Sequence, residues 1–69
     1  MRVATVLELL TTYRDDEDVA TAIFGKVKGQ ITAAEVRAAL HRVPGDHSIV
    51  LYDLPGGRLA IETRKLLQE

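Results

Sequence analysis

Apolar residues recur along the first part of the chain at three- and four-residue steps. Val3, Val6, Leu7, Leu10 and Tyr13 fall on one helical face, which predicts an amphipathic helix over residues 3–13. Val19, Ala22, Ile23 and Val27 repeat the spacing and predict a second helix over residues 16–26, with Gly25 and Gly29 as candidate stops. Residues 19–24 are also short and apolar enough to form a strand, which is the competing reading of this stretch. Thr32 followed three residues later by Glu35 is a capping-box pattern, and Ile31 just before it can staple onto Val36. Val36, Leu40 and Val43 then line one face of a third helix over residues 32–43, ended by Pro44-Gly45.

The period changes after Gly45. Residues 48–53 (Ser-Ile-Val-Leu-Tyr-Asp) are rich in β-branched and aromatic types and predict a strand. Leu54-Pro55-Gly56-Gly57 is a turn, because proline presets φ and glycine tolerates positive φ. Residues 58–63 return as the second strand. With Leu54 facing Gly57, Tyr52 opposes Leu59, Val50 opposes Ile61, and Asp53 pairs with Arg58. A bulge at the turn would shift that register. Residues 64–69 form a tail in which Leu66 and Leu67 can make one helical turn. Four matches at an offset of thirty residues (Ala4, Val6, Leu10, Asp16 against Ala34, Val36, Leu40, Asp46) are explained as well by two unrelated amphipathic helices as by a repeat.

Sixty-nine residues hold one small domain, residues 1–69, with a thin core that dimerisation would help. Hydrophobic residues are 46% and charged residues 28%, a globular balance. There is no cysteine, which excludes disulfides, thiolate metal sites and cysteine nucleophiles. No apolar run reaches membrane-spanning length and no signal-peptide pattern opens the chain, so the expected location is cytoplasmic. Catalysis is not expected either. Ser48 and His47 are strand neighbours that point to opposite faces. No glycine loop is placed to cradle phosphate, and the acidic run Asp15-Asp16-Glu17-Asp18 lacks the alternating ligands of a calcium loop. His41 and His47 are too few for zinc. No cofactor, metal or catalytic residue is expected.

The formal net charge of −1 conceals a gradient, with residues 1–25 net negative and residues 26–69 net positive. Together with the element order, this frames the functional reading. Three helices followed by a hairpin with a glycine tip make a small α+β arrangement that resembles a winged helix-turn-helix domain over residues 3–63. In that comparison residues 1–31 supply helices 1 and 2 with their turn, residues 32–43 the recognition helix, and residues 48–63 the wing. The pattern departs from the tight helix-turn-helix spacing by one residue, since counting from Gly25 and Gly29 reaches Glu35 rather than Val36.

The resemblance implies a DNA-binding regulator that works as a dimer. Helix 32–43 would lie in the major groove and the wing at 54–58 on the backbone. Ala34, Arg37, Ala38 and His41 would point outward. Arg37 can read a guanine edge, and Ala34 and Ala38 can touch thymine methyls. Lys26, Lys28, Arg42 and Arg58 would hold phosphates, and the N–H of Thr32 could meet one at the helix start. Each of these residues also has a purely structural reading: a solvated helix face, a cation at a helix C-terminus, or a cross-strand partner for Asp53. The alternative function is a non-enzymatic protein-interaction module of phage or plasmid accessory type, using the acidic loop or the Leu66-Leu67 tail. The alternative fold is a two-layer α-β-α-β-β domain, in which residues 19–24 are a strand and no recognition helix exists.

Overall fold

In a computed structural model the chain forms three helices and then a two-stranded antiparallel hairpin. The elements are α1 (Val3–Leu10), α2 (Ala20–Phe24), α3 (Ala33–Leu40), β1 (Ser48–Leu54) and β2 (Arg58–Arg64). Residues 1–65 are described, so the expected turn through Leu66 and Leu67 lies outside them. This is a small α+β domain. Residues 19–24 are not a strand, and the two-layer α-β-α-β-β alternative is set aside.

Every helix is shorter than its apolar period suggests, and each end has a local cause. α1 stops at Leu10 because Thr11 and Thr12 turn their hydroxyls back onto the carbonyls of Glu8 and Leu9, at 2.7 and 2.9 Å. α2 does not begin in the acidic run. It begins at Ala20, where the Asp18 carboxylate accepts from the backbone N–H of Ala20 at 3.2 Å. The same Asp18 oxygen accepts from Ile31 N–H at 3.0 Å, tying the start of α2 to the segment before α3. α2 ends at Gly25, whose φ of 67° is left-handed, as the glycine stop predicts. Lys26 therefore lies beyond the helix rather than in its last turn. α3 carries the full capping box between Thr32 and Glu35. It ends at Leu40 rather than Val43, because His41 turns extended (ψ 124°) and Arg42 follows with a left-handed φ of 66° before Pro44 is reached.

The hairpin register differs from the sequence expectation by one residue. Leu54 opposes Arg58 and Asp53 opposes Leu59, so the loop has three residues, 55–57, with Gly56 and Gly57 both at positive φ. A one-residue slip exchanges the faces of one strand relative to the other. Leu59 and Ile61 consequently share a face with Ile49 and Leu51, while Val50, Tyr52 and Leu54 turn outward with Ala60. Asp53 does not pair with Arg58; its carboxylate lies 3.7 Å from the Lys26 ammonium.

The core is a single cluster. Val3, Val6 and Leu10 of α1, Val19, Ala20 and Ile23 around α2, and Ile31, Ala33, Val36 and Leu40 around α3 are buried together. Leu59 is the hairpin residue that joins them, with Ile49 and Ile61 packed at the edge. Backbone pairing fixes the hairpin at both margins. Ile49 donates to the Met1 carbonyl at 2.8 Å beside β1, and Leu59 donates to the Gln30 carbonyl at 3.0 Å beside β2. Gly29, immediately before Gln30, has φ +104°, and a Cβ there would sit 2.7 Å from Leu59 Cδ2. Only glycine lets the chain pass this close to the hairpin.

Candidate functional site

The sequence reading places its candidate residues on α3, the wing and the loop between α2 and α3. Their placement starts with the N-terminus of α3. A helix start leaves four backbone N–H groups unpaired, which makes it an anion seat. Here all four are taken from within the chain. Thr32 N–H donates to Glu35 Oε1 at 3.0 Å, and Glu35 N–H to Thr32 Oγ1 at 3.2 Å. Ala33 N–H donates to the Glu17 carbonyl at 2.9 Å, and Ala34 N–H to the Asp15 carbonyl at 3.1 Å. The Thr32 amide is therefore not available to a phosphate. The acidic loop is laid across this end of the helix through its backbone carbonyls.

Arg37 is not on the open face. Its Nη2 donates to the carbonyls of Leu10 at 2.7 Å and Tyr13 at 2.9 Å, and its Nη1 pairs with the Asp15 carboxylate. Guanidinium geometry explains the choice: one planar fork serves the last carbonyl of α1, a carbonyl of the turn that follows it, and a neighbouring acid. The side chain is half-buried as a result.

Arg58 reaches from the start of β2 to Glu35 on α3, Nη2 to Oε2 at 2.5 Å. The Thr32 backbone N–H holds the Glu35 carboxyl below its ordinary range against the opposing effect of desolvation, with Arg58 adding to the lowering. Lys26 faces Asp53. Four candidates, Lys26, Thr32, Arg37 and Arg58, thus have partners inside the chain. Lys28, Ala34, Ala38, His41 and Arg42 are exposed. Ala34 and Ala38 lie on the outward side of α3, as the helical spacing predicts, with His41 and Arg42 just past its end.

No family model matches the chain, and neither a curated protein nor a solved structure matches it. The order of elements is that of a winged helix, three helices and then an antiparallel hairpin.

The surface that sequence reasoning missed is the outward face of the hairpin. Val50, Tyr52, Leu54 and Ala60 share it, with Tyr52 39% and Leu54 45% exposed. Arg58, Glu62 and Arg64 border it. The Tyr52 hydroxyl, with Arg64 beside it, draws the Glu62 carboxyl below its ordinary range. The signal for this face was the three-residue loop, since loop length decides which residues of the two strands share a face. Among the described residues, no cluster of His, Asp or Glu is placed to hold a metal ion, and no helix is long and apolar enough to cross a membrane.

Proposed function

We propose that the chain is a small, non-enzymatic protein-interaction module whose contact surface is the outward face of the hairpin. The observation that carries this reading is the closed N-terminus of α3. All four of its leading amides and the Arg37 guanidinium are engaged inside the fold, under an acidic loop. A helix in this state has little to offer a phosphate or a guanine edge. The hairpin instead offers an apolar centre of Val50, Tyr52, Leu54 and Ala60 with charged residues at its border. That is the anatomy of a protein contact, an aromatic and aliphatic middle within a polar rim. The partner it suits has an apolar centre that fits Val50, Tyr52, Leu54 and Ala60.

Capture experiments with immobilised wild-type chain, Tyr52→Ser, Leu54→Ser and Arg42→Ala test the reading. One defined protein is expected on wild type and Arg42→Ala, and its retention should fall at least about tenfold on the two hairpin variants. Equal capture by all four chains, or no captured protein, contradicts it.

A second reading, duplex DNA, is favoured by the winged-helix order of elements. It would rest on Ala34, Ala38 and His41 against the bases, with Lys28 and Arg42 on phosphates. The regulator role and the DNA partner stand or fall with that reading.

A further inference from the structure

Each edge of the hairpin is paired at one end only. Along β1, the segment at Met1–Val3 covers the beginning: Ile49 N–H donates to Met1 O and Val3 N–H to His47 O. Along β2, Gln30 covers only the start, accepting from Leu59 N–H and donating to Gly57 O at 2.8 Å. Backbone groups alternate in direction along a strand. Because Leu59 points away from β1, Ile61 and Thr63 do so too. Among the described residues, no backbone pairs with either.

We propose that this edge of β2 pairs with the same edge of a second copy, antiparallel about a two-fold axis at Thr63. The two hairpins then form one four-stranded sheet. The register follows from three constraints. First, residues opposite one another in a hydrogen-bonded pair must both point outward, and on β2 these are the odd-numbered ones. Second, Gln30 already occupies the position beside Leu59, so the described residues of the two strands must pair within 61–65. An axis at Ile61 would drive the second copy's Thr63 into Gln30, and an axis at Glu62 would do the same with its Lys65. Third, charge decides what remains. An axis at Glu62 sets two glutamates opposite each other, and one at Arg64 sets two arginines opposite each other, both unfavourable. The axis at Thr63 sets Glu62 against the second copy's Arg64 and Arg64 against its Glu62. In one copy these side chains already lie 3.2 Å apart on the outward face, Arg64 Nε to Glu62 Oε1. The dimer makes them an alternating square of four charges. Thr63 meets Thr63, a favourable cross-strand pair, and Ile61 meets the aliphatic stem of the second copy's Lys65. This pairing does not depend on which ligand the hairpin face takes.

Sedimentation analysis of the full chain from about 10 μM to about 1 mM tests it, a range suited to a small interface. A reversible monomer–dimer equilibrium is expected. Thr63→Pro deletes the central outward N–H while leaving the β1–β2 ladder intact, and should raise the dimer Kd at least about tenfold. Glu62→Arg should weaken the dimer, and adding Arg64→Glu to it should restore it. The charge series decides the matter even where the proline variant folds poorly. A chain monomeric at every concentration, or a dimer indifferent to Thr63→Pro and to the charge reversal, overturns the proposal.

Discussion

The guanidinium of Arg37, in the middle of α3, closes the C-terminal end of α1 by donating to the Leu10 carbonyl at 2.7 Å. With Tyr13 O as its second acceptor, one side chain ties α3 to the end of α1 and to the turn that follows it. Arg37→Ala should therefore destabilise the domain by about 1–3 kcal/mol, the range for hydrogen bonds to a charged group. Asp15→Ala, which removes only an exposed ion-pair partner, should cost under about 1 kcal/mol. Urea unfolding of both variants checks the contrast. Equal and negligible effects would make Arg37 an ordinary surface residue.

Glu35 makes stability depend on acid. Its folded-state carboxyl is held below the ordinary value of 4.5 by the Thr32 backbone N–H and by Arg58. A depressed folded pKa contributes stability that is present above the unfolded value and is lost as pH falls through the folded one. Glu35→Gln keeps the capping-box hydrogen bonds but removes the charge. The stability gap between wild type and Glu35→Gln should thus be open at pH 7 and close progressively below about pH 4.5. Thermal melts at stepped pH measure it, and a gap that widens in acid contradicts the assignment.

Gly29 and Gly25 both adopt positive φ, but only Gly29 is hemmed in. Gly25→Ala should cost about 1 kcal/mol, from backbone strain alone. Gly29→Ala adds a collision with Leu59, the hairpin's anchor in the core, and should cost at least about 2 kcal/mol. Chemical denaturation of the pair tests whether the Gly29–Leu59 approach holds the hairpin to the helices.

Element types were readable from the sequence because period and turn chemistry are local. The change from helical spacing to alternation after Gly45, the Thr32–Glu35 box and the glycine stop at Gly25 all carry through to the fold. The misses are non-local. Nothing near Arg37 in sequence reveals that the end of α1 arrives beside it. The Asp18 carboxylate accepts from Ala20 N–H at the start of α2 and from Ile31 N–H thirteen residues away, which the acidic run alone does not announce. The hairpin register turned on whether Pro55-Gly56-Gly57 makes a two- or three-residue loop. One residue there decided that Tyr52 lies on the face opposite Leu59, and that Arg58 meets Glu35 rather than Asp53.

The most direct measurement is a residue-resolved NMR titration of the folded chain with mixed-sequence duplex DNA at low salt. With the α3 amides and Arg37 already engaged, no saturable shifts are expected at Ala34, Ala38, His41 or Arg42. A saturable, salt-sensitive response clustered on those four residues and Lys28 would contradict the account and establish α3 as a nucleic-acid contact.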